Sequence, residues 1–291
     1  MTGQTRDRRA GRCRTSCTPA PYGRAARPAS DQGPISRSGP RSDVAGPGLA
    51  LTGGVITIEH ISKRRGRTTI LSDVGFGARP GRVTGFLGPN GAGKSSTLRI
   101  LLGLDRAQQG TALIAGRPFA AWRRPLTVVG ALLDEGGAHR SRTGRAHLRW
   151  VAASNGLARS RVDEVLDLVG LADAAGKRVG SYSLGMGRRL GLAAALLGDP
   201  AVLVLDEPVN GLDAGGIRWM REFLRRRAAE GATVLLSSHL MGELAETVDD
   251  VVVIDRGRII ADGTLREVTG AHPSLEDAYF ALTSAGTRGP R

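Results

Sequence analysis

The stretch that most constrains this chain is Gly88-Pro-Asn-Gly-Ala-Gly-Lys94-Ser95, which satisfies the pattern GxxxxGK[ST]. Its flanks are what that pattern requires. Residues 82–87 form an apolar run that reads as a buried strand, and residues 95–104 carry Leu98, Leu101 and Leu102 at helical spacing. A Gly-rich turn between strand and helix points successive backbone N–H groups at one spot, and the helix N-terminus adds a favourable dipole. Such a turn holds a polyphosphate with little side-chain charge. The candidate nucleotide contacts are therefore Gly88, Pro89, Asn90, Gly91, Ala92, Gly93, Lys94, Ser95 and Ser96. Lys94 is placed to reach the β and γ phosphates, and the Ser95 hydroxyl to ligate Mg2+.

Charge narrows the rest less than it first suggests. A net charge of +14 suits a nucleic-acid partner, since Lys and Arg neutralising phosphates supply most non-specific affinity. Yet only Lys63, Lys94 and Lys177 among the 41 basic residues are Lys, and the chain is rich in Gly and Ala, a compositional bias that needs no ligand. Residues 1–52 hold nine Arg, three Asp, many Pro, Gly and Ser and almost no aliphatic side chains, so they read as a disordered basic tail that buries too little to fold. Arg64-Arg65, Arg123-Arg124 and Arg225-Arg226-Arg227 read as solvated faces. Cys13 and Cys17 are too few for a disulfide scaffold and lack further ligands at zinc spacing. No run approaches the roughly 20 apolar residues of a membrane helix, so any membrane role passes through a separate partner.

From residue 55 onward, short apolar runs alternate with helical patterns, the signature of a layered α/β domain. Residues 55–59 and 111–115 read as an antiparallel portion; residues 82–87, 201–205, 233–236 and 251–254 read as core strands. Helical spacing of Leu148, Val151 and Ala152, then Val162, Val165, Leu166 and Val169, marks a helical insert at about residues 140–195. Residues 255–258 form a hairpin turn, residues 274–282 a closing amphipathic helix, and residues 284–291 a disordered C-terminal tail. The folded domain spans residues 53–283.

Residues 202–205 are four aliphatics that end in Asp206-Glu207-Pro208, so two carboxylates emerge at the carboxyl end of a buried strand, where ligands sit in open α/β sheets. Asp206 is placed to hold Mg2+, and Glu207 to activate the attacking water as general base.

With these motifs in hand, the chain resembles the ATP-binding subunit of an ABC transporter over residues 55–283, and is similar to the ATPases of bacitracin- and daunorubicin-type exporters. The resemblance rests on ordered motifs: Ser183-Leu-Gly185-Met186 after Tyr182 looks like the family signature, Asn210-Gly-Leu-Asp213 like its D-loop, and Ser237-Ser238-His239 like its switch histidine. It implies a P-loop NTPase fold of the ABC-ATPase type, with a parallel-core sheet, an antiparallel β portion and a helical insert. It further implies ATP and Mg2+ as ligands and hydrolysis coupled to export of a drug, antibiotic or lipid-like compound. Two cassettes would pair head to tail, a homodimer or a pair with a second ATPase subunit, so that Ser183, Gly185 and Asp213 of one chain cover the nucleotide on Lys94 of the other. His239 would contact the γ-phosphate. A separate integral membrane permease would complete the machine at the cytoplasmic face of the plasma membrane, with no direct nucleic-acid contact.

The pattern departs from the family at two places. Asp134 stands where a Mg2+-sensing Gln is usual, and a carboxylate there remains a metal ligand. Arg65 stands where an aromatic usually stacks on adenine, and a guanidinium also stacks on a base. A soluble cassette ATPase acting on nucleic acid or ribosomes, and a weakly hydrolysing regulatory cassette, are the alternative functions.

Overall fold

The computed structural model describes residues 55–133 and 137–286. Asp134 and residues 1–52 therefore lie outside the described residues, as do residues 287–291.

The chain opens with β1 (Ile56–Arg65) and β2 (Thr68–Ala78), a hairpin whose turn is set by Gly66 at φ 60°. After β3 (Val83–Leu87) and α1 (Lys94–Leu101), β4 (Gln109–Ile114) pairs with β1, giving an antiparallel sheet ordered β2-β1-β4. Then follow β5 (Val129–Leu132), α2 (Gly144–Ser154), α3 (Ser160–Leu168), α4 (Leu184–Leu196), β6 (Val202–Asp206), α5 (Ala214–Ala229) and β7 (Thr233–Ser238). The chain continues with α6 (Met241–Ala245), β8 (Asp250–Asp255), β9 (Arg258–Thr264), α7 (Leu265–Thr269) and α8 (Leu275–Gly286). The second sheet runs β5-β6-β7-β3-β8-β9, parallel except for β9. The closing helix reaches Gly286, so residues 284–286, expected in a tail, continue α8.

Strands β3, β6, β7 and β8 are continuous apolar runs because both faces of the parallel sheet are covered. Alternation then sorts their side chains between two cores. Val202, Val204, Leu235, Val252 and Ile254 face the layer of α1 and the antiparallel sheet, where the Phe76 and Phe86 rings pack at a 36° tilt with centroids 4.8 Å apart. Leu203, Leu205, Val234, Leu236, Val251 and Val253 face the layer of α2 to α5.

Helix starts follow local chemistry. Thr143, Ser183 and Asp213 each cap a helix in extended backbone, accepting from Ala146, Met186 and Gly216 backbone N–H groups. α1, like α3 and α6, has no side-chain cap, and its N-cap is Gly93 at φ 115°. Its first-turn N–H groups are left for an anion.

Candidate functional site

The loop after β3 is held open by backbone approach that only glycine allows. A Cβ at Gly88 would lie 2.4 Å from the Ile254 carbonyl oxygen, and one at Gly93 would lie 2.5 Å from Leu71 Cδ2. Gly91 and Gly93 also take positive φ, 82° and 115°. Ala92 is buried beneath the loop, its N–H donating to the Pro89 carbonyl at 3.1 Å and its carbonyl accepting from Gly257 N at 2.9 Å. Thr97 Oγ1 closes the first turn of α1 by donating to the Gly93 carbonyl at 3.0 Å.

Around this loop the carboxyl ends of β3, β6 and β7 form a cleft of about 440 Å³. Pro89, Asn90, Gly91, Gly93, Lys94, Ser95 and Ser96 line one wall; Asp206, Glu207, Asn210 and His239 line the other. Residues more than 100 positions apart are thus brought together. Lys94 is buried, and its Nζ donates to the Gly88 carbonyl at 2.6 Å and lies 3.5 Å from Glu207 Oε1. The other oxygen of that carboxylate, Oε2, is 2.9 Å from His239 Nδ1. One carboxylate therefore bridges the phosphate-loop lysine and the histidine.

Glu207 holds this position through its backbone. Its φ is 49°, in the left-handed region that non-glycine residues rarely adopt, and its N–H donates to Ser237 Oγ at 3.1 Å and to the Ser237 carbonyl at 3.2 Å. Asp206 accepts a hydrogen bond from the Ser237 hydroxyl. Both carboxylates are nearly buried, Asp206 at 2% and Glu207 at 8% exposure, so each needs a cationic or hydrogen-bonded partner. The Ser238 hydroxyl accepts from Leu240 N at 3.0 Å and fixes the turn that carries His239.

Ser183, Gly185 and Asp213 lie apart from this cleft. They line a second surface, where the start of α4 meets the segment before α5. A Cβ at Gly185 would come 3.2 Å from the Gly211 carbonyl, and one at Gly211 would come 2.3 Å from Leu184 Cδ2. The two loops are fitted to one another, and Leu184 remains 67% exposed beside them.

Arg65 ends β1 on the exposed side of the hairpin and is not among the residues that line the Lys94 cleft. The hairpin residue that does line it is Ile70 on β2. Ile70, Asn210 and Ser237 are site residues that sequence reasoning did not single out. Asn210 and Ser237 stood within motifs read for Asp213 and His239; Ile70 carried no signal, because β2 itself was not read as a strand.

Comparison with known proteins decides the family. A family model described as ABC transporter matches residues 71–210. An uncharacterised ABC transporter ATP-binding protein of Bacillus subtilis, YhcH, is 39% identical over 230 residues, 78% of this chain and 74% of the relative. The chain belongs to the ABC transporter ATP-binding family. A lantibiotic transport ATP-binding protein of Streptococcus pyogenes, SrtF, is 35% identical over 225 residues, covering 77% of this chain and 96% of that protein. A bacitracin transport ATP-binding protein of Bacillus licheniformis, BcrA, is 37% identical over 211 residues, covering 72% and 69%. Among solved structures, one described as an ATP binding subunit of an ABC transporter superposes with a TM-score of 0.72 at 26% identity, covering 78% of this chain and 99% of that one.

As a member of this family the chain is an ATP-binding, ATP-hydrolysing transporter subunit. Among the described residues no helix is long and apolar enough to cross a membrane.

Proposed function

We propose that this ABC ATPase works as a head-to-tail homodimer that drives export through a separate integral membrane permease, peripheral to the cytoplasmic face of the plasma membrane. The observation that carries the catalytic assignment is the Glu207 carboxylate, held between Lys94 and His239 at the carboxyl end of the parallel sheet. ATP phosphates entering the cleft give Lys94 Nζ stronger partners than the Gly88 carbonyl, because a phosphate oxygen is charged. That exchange frees Glu207 Oε1 from its contact with Lys94. Glu207 then accepts the proton of the attacking water while His239 holds Oε2 and fixes the carboxylate plane, the positioning that phosphoryl transfer depends on. Ser95 and Asp206 would hold Mg2+, since both offer hard oxygen ligands at the cleft. The bound cation would neutralise charge on the β and γ phosphates.

The separation of Ser183, Gly185 and Asp213 from Lys94 within one chain supports the dimer. In a head-to-tail pair these residues of one subunit cover the phosphates bound by the other. Export of a drug, antibiotic or lipid-like compound is favoured by the relatives named for bacitracin and lantibiotic transport. Steady-state ATP hydrolysis across protein concentration tests the reading. Activity rising more than in proportion to concentration is expected; strictly proportional activity would make the single chain sufficient and remove the dimer.

A further inference from the structure

We infer that Ser237 is a positioning residue for the carboxylate pair, setting which oxygen of Asp206 faces a divalent cation and where Glu207 begins its strained turn. This inference rests on the reading of Asp206 and Glu207 given above.

The Ser237 hydroxyl is fully buried and has a single proton, which it donates to Asp206 Oδ1. Its lone pairs accept from Glu207 N at 3.1 Å. One hydroxyl therefore bonds a candidate metal ligand and the backbone of the candidate base. The sheet enforces the arrangement: Ser237 is the register partner of Asp206 on β6 and of Phe86 on β3, so it sits between the strand that presents the carboxylates and the strand that feeds the phosphate loop. Side chains two apart share a sheet face, which places Ser237 and Asp206 with Leu235 and Val204 on the α1 side. With Oδ1 taken by Ser237, Oδ2 is the oxygen that Asp206 offers to the cleft.

The bond selects one carboxylate rotamer and so raises metal affinity without touching metal or nucleotide. Phosphate contacts come from the loop and are independent of it. Loss of the hydroxyl should therefore weaken the metal and leave ATP alone.

Mn2+ serves as the probe, read by its electron paramagnetic resonance signal in the full-length chain carrying Glu207→Gln, so that ATP is bound and not consumed. Ser237→Ala is expected to weaken Mn2+ binding about tenfold, the effect of losing a hydrogen bond to a charged group. Affinity for ATP in the absence of divalent cation should remain within about twofold. Ser237→Thr and Ser237→Val match in shape and differ in the hydroxyl, so they decide the matter even if the alanine variant unfolds. Thr should retain the higher Mn2+ affinity. Equal Mn2+ affinity for Thr and Val, or parallel losses of Mn2+ affinity, metal-free ATP affinity and melting temperature, would reduce Ser237 to a core hydroxyl and overturn the inference. If the Glu207→Gln protein itself binds neither ATP nor Mn2+–ATP, the reading of the site fails instead.

Discussion

The two ends of the parallel sheet both concentrate charge, and they treat it in opposite ways. At the amino ends of β3 and β8, Asp250 takes Arg82 Nε at 2.6 Å, Arg82 Nη2 at 2.7 Å and Arg79 Nη2 at 2.8 Å, while Asp249 accepts from Val83 N at 2.8 Å. Cations and carboxylates there satisfy one another. At the carboxyl ends, Lys94 leans on a backbone carbonyl and lies 3.5 Å from Glu207, and the uncapped start of α1 points at the same cleft. Charge that completes its partners inside the protein builds the fold. Charge left with weak partners at a cleft is available to a ligand.

That contrast yields predictions of decreasing size. Lys94→Ala should weaken ATP binding by at least about 10²-fold, because a charged, desolvated phosphate contact is removed. Calorimetric titration checks it; unchanged affinity would place the nucleotide elsewhere. Asp250→Asn should instead cost about 2 kcal/mol of stability through weakened charged hydrogen bonds while ATP affinity holds, as read by urea unfolding. A cleft defect in that variant would mean that the two ends are coupled.

The acid limb of stability sharpens the same contrast. Burial pushes the Asp250 carboxyl up, but the hydrogen bonds and charges of Arg82 and Arg79 outweigh it and hold the group below its ordinary 3.8. A lowered folded-state value contributes stability above the unfolded one, lost as pH falls through the lowered value. Asp262 has the opposite sign: burial and the nearby Asp250 charge raise it, so its contribution is present at low pH and fades as pH rises through the raised value. Asp250→Asn should therefore flatten the fall in unfolding free energy below about pH 4, whereas Asp262→Asn should remove a loss of stability that sets in as pH rises above about 4. The smallest effect expected is from Arg65→Ala, with ATP affinity within about threefold, since Ile70 and not Arg65 lines the cleft.

Legibility from sequence divides along similar lines. The phosphate loop, Asp206-Glu207 and the core strands could be read because each is local: apolar runs of strand length ending in turn or acidic residues. β5 escaped notice because it is only Val129–Leu132, with a glycine inside it. β2 gives a weak sequence signal because the exposed positions of its alternation are Asp73, at φ 56°, and Gly75 and Gly77, residue types depleted in strands. Ser237 looked like a spacer before His239; its bond to Asp206 spans 31 positions and exists only once β6 and β7 are in register. The Arg82–Asp250 pair, 168 positions apart, likewise has no local signature. Arg65 was read through resemblance alone, and the hairpin geometry places it outside the cleft lining.

The measurement that bears most directly on the central claim is ATP turnover of Glu207→Gln at saturating ATP and Mg2+, with nucleotide binding measured on the same sample. The account predicts retained binding and turnover lower by roughly 10² or more, the range for a lost general base. Turnover near that of the unaltered protein, with binding intact, would contradict it and take Glu207 out of the chemistry.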